Sequence, residues 1–181
     1  MPNKTSKSKK ANKETDLLVT IQDALYSPAT VKGARALSHF GEHDLGWLAL
    51  ATTGAVANAA AGEKVKVRKW VALGVGTFAA HAATVVLKRI VRRPRPNDPR
   101  VKIGVKTPSQ LSFPSSHAAN TGAAAVHLAD ITGSKWPWLL VPVMMLSRNV
   151  LGVHYPTDTL AGAALGALSA KVVIEGERRT R

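Results

Sequence analysis

The sequence predicts an all-α protein, a polytopic membrane helical bundle of about five transmembrane helices with an amphipathic interfacial helix at its N-terminus. Long runs rich in Ala, Leu, Val and Gly recur along the chain, separated by short polar or charged loops. The 181 residues carry a net charge of +14, which is typical of partners such as nucleic acid or an anionic membrane. No module of interleaved basic and aromatic residues is present, so the apolar runs favour membrane lipids and no nucleic acid.

The first forty residues differ from the rest of the chain. Residues 1–14 contain five lysines and almost nothing apolar, which predicts a disordered tail able to touch anionic lipid. In residues 15–40, four apolar side chains between Leu17 and Leu25 share one helical face. Because polar residues such as Asp16 interrupt this run, we expect an amphipathic segment at the interface, neither a crossing helix nor a cleaved signal.

Residues 41–175 form the predicted transmembrane core, and residues 176–181 a basic C-terminal tail. The predicted spans, some slightly shorter than the ~20 residues of an average crossing, are residues 44–61, 70–87, 118–131, 136–153 and 159–174. The pair Gly162 and Gly166 in the last span favours close helix packing within the chain over dimerisation, although an oligomer stays open.

Three cationic residues of the core suit a phosphate. Lys88 is the first and Arg95 the last-but-one residue of the run KRIVRRPRP. Arg148 is the first residue of the later stretch RNVLGVHYPTD. Phosphoryl transfer spreads charge over the equatorial phosphate oxygens, so its catalysis is mostly positioning and electrostatic stabilisation. Arginine can donate two hydrogen bonds to such oxygens, whereas lysine acts as a point charge. These residues are therefore predicted to bind phosphate.

A serine pair extends the predicted phosphate site. Ser115 and Ser116 lie just before the apolar run 118–131, where a helix is predicted to begin. The exposed N–H groups of a helix N-terminus bind anions, and the two hydroxyls add hydrogen-bonding groups. We expect the phosphate to dock there.

Two histidines and a carboxylate complete the predicted chemistry. A neutral imidazole at His154 can attack phosphorus, and Asp158, four residues on, can hold its other nitrogen in the required tautomer. Pro156 suits the start of the next helix and would put Asp158 in its first turn. His117 is then available as general acid for the departing alkoxide. A lone histidine beside an apolar helix is more often a packed core residue, but three ordered segments favour catalysis here.

The three segments KRIVRRPRP, PSSH and SRNVLGVHYPTD resemble the signature of the type 2 phosphatidic acid phosphatase superfamily, which includes bacterial acid phosphatases and vanadium haloperoxidases. The resemblance implies a phosphohistidine intermediate at His154, oriented by Asp158, with His117 protonating the leaving group. The phosphate ligands of that family match Lys88, Arg95 and Arg148. Many members have Gly where this chain has Ser116, and we expect activity to survive this difference.

The protein is expected to be a multi-pass cell-membrane protein, and its expected substrate is a phosphorylated lipid. The short chain and the stretch SHFGEHDLGWL resemble actinobacterial enzymes that dephosphorylate decaprenyl-phosphoryl-phosphoribose for cell-wall arabinan. Undecaprenyl pyrophosphate, phosphatidylglycerol phosphate and phosphatidic acid stay open as substrates, as do a vanadate-dependent haloperoxidase and a non-catalytic lipid-binding protein. Five charged or titratable loop residues could select the headgroup: Glu42, His43, Arg100, Lys102 and Lys106. Such residues at a membrane interface more often have no specific ligand.

Other charged residues have plainer interpretations. His81 and His127 lie within apolar helices and are interpreted as packed, and Arg89, Arg92 and Arg93 as a solvated or lipid-headgroup face. The chain has no cysteine, and its Asp and His residues lack a clustered metal pattern, so no metal and no cofactor are predicted. Basic residues occur on both predicted faces of the bundle, which leaves the side of the active site open.

Overall fold

A computed structural model describes the backbone of residues 4–180 and the side chains of residues 13–180. This part of the chain is all-α, as predicted, and contains no β-strand. The seven α-helices are α1 (Lys4–Leu25), α2 (Pro28–Phe40), α3 (Leu45–Ala60), α4 (Lys64–Val91), α5 (Ser116–Thr132), α6 (Leu140–Val150) and α7 (Pro156–Arg179). Short 3-10 turns precede two of them, Glu42–Asp44 before α3 and Trp136–Leu139 before α6.

The five predicted spans coincide with α3 to α7, but their lengths differ. Only α4 and α7, with 28 and 24 residues, are long and apolar enough among the described helices to cross a membrane. In each of them only 33% of the most apolar window is buried within the protein. The α3, α5 and α6 helices have 16, 17 and 11 residues, fewer than the ~20 of an average crossing. Two candidate spans are therefore present, and the larger number stays a prediction.

Helix α5 is the centre of the bundle and lies between α4 and α7. Every residue from Ala118 to Leu128 is buried, and most of them are small. Gly162 and Gly166 of α7 lie directly against the backbone of α5, where a Cβ atom would overlap the Ser115 and Ala119 carbonyl groups. The GxxxG pair thus packs two helices of one chain together, which brings the first turns of α5 and α7 side by side.

Local sequence explains where these two helices begin. Ser115 is the N-cap of α5, and its hydroxyl accepts from the Ala118 N–H at 3.4 Å. In α7, Pro156 occupies the first turn, and the Asp158 carboxylate accepts from the Tyr155 N–H at 2.8 Å. Asp158 therefore helps to start the helix that carries it.

The N-terminal helices pack against the core. Gln22 of α1 is buried, donates to the Val150 and Lys102 carbonyls at 2.9 and 2.8 Å, and accepts from the Lys102 N–H at 2.9 Å. Val31 and Ala34 of α2 share an apolar cluster with Val150 and its neighbours at the end of α6. Whether this segment also lies at a membrane interface stays a prediction.

The observed helices extend into both predicted tails. The backbone is helical from Lys4 onwards, whereas residues 1–14 were predicted to be disordered. Residues 1–3 and the side chains of residues 4–12 lie outside the described part of the chain, so lipid contact by those lysines stays a prediction. At the other end α7 continues to Arg179, and Arg178 donates to Asp130 at 2.7 Å. Arg181 also lies outside the described residues.

Candidate active site

A cavity of about 110 Å³ lies where the end of α4, the start of α5 and the link from α6 to α7 meet. Six of the eight predicted site residues line it, although they come from separate parts of the sequence: Lys88, Arg95, Ser116, His117, Arg148 and His154. Asp158 lies behind His154 and is fully buried. The fold therefore assembles the three sequence segments into one site.

The three predicted phosphate ligands are held by backbone and hydroxyl oxygens. Lys88 Nζ contacts the Pro114 carbonyl and lies 3.4 Å from the Ser112 carbonyl. Arg95 donates to the carbonyls of Ser109 at 2.7 Å and Val153 at 2.6 Å. These carbonyl contacts orient both cations, and no carboxylate of the described side chains lies within ion-pair distance of either.

Arg148 is the most buried of the three cations, with 2% of its surface exposed. Its Nη1 donates to the Ser38 hydroxyl of α2 at 2.8 Å, and its Nε has no partner in the described structure. Burial lowers the pKa of Arg95 to about 10, so this guanidinium is still charged at neutral pH. Three fixed cations around a small cavity repel each other, and a bound dianion would relieve that repulsion.

The His154 ring is buried and carries its proton on Nδ1. Its Nε2 lies 3.3 Å from Arg95 Nη1, and a guanidinium can only donate. Nε2 is therefore the acceptor and Nδ1 carries the proton, and Asp158 Oδ2 lies 3.8 Å from Nδ1, which is longer than a hydrogen bond. Burial, together with the charges of Arg148, Arg95 and Lys88, holds the pKa of His154 well below its ordinary value. The imidazole is thus neutral, and its Nε2 lone pair faces the Arg95 guanidinium.

Asp158 is held by contacts that the sequence patterns did not indicate. Its Oδ1 accepts from Arg93 Nη1 at 2.8 Å. Arg93 also pairs with Glu14 of α1 and lies over the Tyr155 ring at 4.2 Å. The interpretation of Arg93 as part of an exposed arginine face is wrong, because only 25% of its side chain is exposed. Arg89 and Arg92 are exposed, in agreement with that interpretation.

His117 and the serines occupy different positions in the first turn of α5. His117 Nε2 lies 3.0 Å from the Ser38 carbonyl, which can only accept, so Nε2 carries a proton. Ser116 lines the cavity, with its hydroxyl 2.7 Å from that of Thr84. The structure does not place Ser115 in the cavity wall, because its hydroxyl caps α5 and its N–H donates to the Asp158 carbonyl at 3.0 Å.

Sequence reasoning missed several residues of the cavity wall. His81, interpreted as a packed residue, lines the cavity and lies 3.4 Å from the Asn120 amide nitrogen. Ser38 binds both His117 and Arg148, yet its position in an amphipathic helix carries no catalytic signal. His127 is buried in the core, in agreement with its interpretation. Among the described residues, no group of three His, Cys, Asp or Glu side chains could hold a metal ion.

A helical bundle whose cavity presents three cations, a buried neutral histidine and a proton-bearing histidine defines an α-helical phosphatase. The model of the PAP2 superfamily matches residues 69–180, and the chain belongs to that superfamily. This finding agrees with the resemblance of the three sequence segments.

Individual relatives agree with the family. The decaprenylphosphoryl-5-phosphoribose phosphatase of Mycolicibacterium smegmatis is 58% identical over 150 residues, which are 82% of this chain and 81% of that protein. The Mycobacterium tuberculosis protein of the same name is 49% identical over 161 residues, 88% of either chain. The crystal structure of a transmembrane PAP2 type phosphatidylglycerolphosphate phosphatase from Bacillus subtilis has a TM-score of 0.70 at 22% identity, covering 92% of this chain and 87% of that one. At this identity, the similarity to the Bacillus subtilis structure shows a shared fold.

Proposed function

We propose that this chain removes the 5-phosphate from a decaprenyl-phosphoryl-5-phosphoribose lipid through a phosphohistidine intermediate on His154. The names of two similar relatives support the substrate. The observation that carries the chemistry is the state of His154, a buried neutral imidazole with its Nε2 lone pair beside Arg95. A phosphate held by the three cations would meet that lone pair.

In the first half-reaction the phosphate monoester enters the cavity and its oxygens are bound by Lys88, Arg95 and Arg148. His154 Nε2 attacks phosphorus, the P–O bond to the ribose C5 oxygen breaks, and the electron pair goes to that oxygen. For this step His117 is in its imidazolium form, which the phosphate dianion favours; its Nε2–H stays on the Ser38 carbonyl, and its other ring nitrogen donates a proton to the alkoxide. The charge that develops on the His154 ring is stabilised through Nδ1–H by Asp158, 3.8 Å away before substrate binds.

In the second half-reaction a water molecule replaces the departed sugar. His117, now neutral and without that proton, accepts a proton from the water as it attacks phosphorus. The P–N bond to His154 breaks, and inorganic phosphate is released. The same histidine therefore acts first as acid and then as base, as the reversal of the leaving step requires.

Arg93 is proposed as a positioning residue in this sequence. It does not line the cavity, but it donates to Asp158 Oδ1, while Oδ2 faces His154. Since Arg93 is also paired with Glu14, helix α1 reaches the catalytic carboxylate through one intermediate side chain. The N-terminal segment thus takes part in arranging the site.

The proposed setting is a membrane that α3 to α7 cross, with the cavity near one surface. The exposed faces of α4 and α7 support this, because a core helix of a water-soluble protein would be mostly buried. Exposed apolar side chains continue along both helices and include Val75, Phe78, Leu168 and Val172. The prenyl chain of the substrate would stay in the lipid while its headgroup enters the cavity.

The direct test is phosphate release by the purified full chain in detergent with EDTA present. We expect release from the phosphoribosyl lipid, loss of release in His154→Ala, and native rates in Lys66→Ala, whose side chain is 53% exposed. Rapid quenching should trap an acid-labile, base-stable phosphoenzyme in the native chain and none in His154→Ala.

The substrate panel should also contain undecaprenyl pyrophosphate, phosphatidylglycerol phosphate and phosphatidic acid. A higher kcat/KM for one of these would replace the proposed substrate while leaving the chemistry in place. Absence of a phosphoenzyme together with unchanged release in His154→Ala would refute the mechanism itself. Absence of release from every substrate, with binding retained, would favour a lipid-binding role.

A further inference from the structure

The turn between α2 and α3 lies against the ring of the proposed general acid. Gly41 approaches His117 so closely that a Cβ atom on it would lie 2.7 Å from His117 Cδ2. The next two residues, Glu42 and His43, line the cavity that holds His154. This turn therefore forms the wall of the cavity on the His117 side.

The backbone of the turn is held in an unusual shape. His43 and Asp44 both adopt the left-handed conformation, with φ of 50° and 66°. Neither is glycine, and such conformations persist only where the surroundings impose them. Asp44 is fully buried, which anchors the turn, while Glu42 and His43 are exposed at the cavity mouth. The turn thus places Glu42 at the entrance of the cavity.

Glu42 differs in charge from the rest of the site. It is the one carboxylate among the described residues that line this cavity. Its side chain is 51% exposed, and its Oε2 lies 3.5 Å from His39 Nδ1. A carboxylate repels a phosphate dianion, so Glu42 is unsuited to the phosphate itself. Carboxylate oxygens are instead good acceptors for sugar hydroxyls, as in ribose recognition by acidic side chains.

The reaction geometry brings the sugar to this turn. In phosphoryl transfer the attacking and leaving atoms lie roughly in line on opposite sides of phosphorus. With His154 on the attacking side, the leaving oxygen faces His117, and the group attached to that oxygen extends past His117 towards Gly41 and Glu42. A groove of about 790 Å³, larger than the cavity that holds His154, is lined by Arg95 and Val153 and therefore lies on the His154 side, away from the predicted sugar position.

We infer that Glu42 binds the hydroxyl groups of the sugar that carries the phosphate, and so selects phosphorylated sugar lipids over lipid phosphates without a sugar. This inference depends on the proposed function, because it assigns the leaving-group side from the roles of His154 and His117. The two can be tested separately.

The experiment compares a prenyl-phosphoryl-5-phosphoribose with its 2,3-dideoxy analogue, using the full chain in detergent. We expect removal of the hydroxyls to lower kcat/KM of the native enzyme about tenfold, the usual effect of losing a hydrogen bond to a charged group. Glu42→Ala should show a similar loss on the hydroxylated lipid and no further loss on the analogue. The matched control is Glu63→Ala, because Glu63 is 50% exposed and pairs with Lys66 at 3.6 Å.

The coupling between Glu42 and the hydroxyls decides the result. If Glu42→Ala lowers kcat/KM equally for both lipids, or for neither, the inference is overturned. If His39→Ala reproduces the selective loss, the contact between His39 and Glu42 is responsible and Glu42 does not act alone on the sugar, which also overturns it. Release that persists in His154→Ala would instead refute the proposed function, whatever the Glu42 result.

Discussion

Arg93 offers a sharp test of how the site is held together. Its guanidinium donates to Asp158 Oδ1 at 2.8 Å, and Asp158 is fully buried. The substitution Arg93→Met keeps most of the aliphatic stem and removes the charge. The remaining carboxylate would then turn or take up a proton, and in either state it would stabilise less well the positive charge that develops on the His154 ring.

The size of the effect follows from the contact. Hydrogen bonds to charged groups contribute about 1.5–3 kcal/mol, and breaking a fully buried ion pair costs about 3–5 kcal/mol. Because 25% of the Arg93 side chain is exposed and water can replace part of it, the lower range applies. A loss of about 2 kcal/mol in the transition state lowers kcat about 30-fold. KM should change little, since Arg93 does not line the cavity.

The assay is steady-state phosphate release in detergent, with Arg89→Met as the control for loss of one positive charge, because Arg89 is exposed. In an Asp158→Asn background, Arg93→Met should cost little more, since both residues act through one contact. Glu14→Gln should have a smaller effect than Arg93→Met. A normal kcat in Arg93→Met, or full additivity with Asp158→Asn, would show that Arg93 does not act through Asp158.

Two further predictions concern stability, measured by thermal unfolding in detergent. Gly166→Ala should destabilise the chain by about 2 kcal/mol, because the added Cβ would overlap the Ala119 carbonyl of α5. The control Gly176→Ala has no atom within 4 Å of the added Cβ and should stabilise the chain by about 0.5 kcal/mol. Equal effects of the two substitutions would contradict the close packing of α5 and α7. Because burial lowers the pKa of His154, the unfolded chain binds the additional proton as pH falls below ~6.5, and native stability should decrease there. In His154→Asn the stability should decrease less steeply with falling pH, whereas His39→Asn should follow the native chain. Identical pH slopes in all three proteins would refute the assignment of this decrease to His154.

The sequence alone predicted the helical class and most of the charged residues that line the cavity. The apolar runs predicted helices over 118–131 and 159–174, and both lie within observed helices. Fixed cations such as Lys88 suit the phosphate oxygens, and His154 and His117 suit a nucleophile and an acid, so their types and order indicated phosphoryl transfer. Caps and prolines are local signals, and so the beginnings of α5 and α7 were also predictable.

Only the tertiary structure decided which groups support the site. Arg93 and Asp158 are 65 residues apart, and Arg93 and Glu14 are 79 apart, so no local pattern connects them. Periodicity likewise could not tell that Ser38 would bind both His117 and Arg148. Sequence patterns report interactions within one or two helical turns, whereas the partner of a buried charge depends on how helices pack over long separations. The residues proposed to react were thus named from the sequence, and the groups that hold them in place were not.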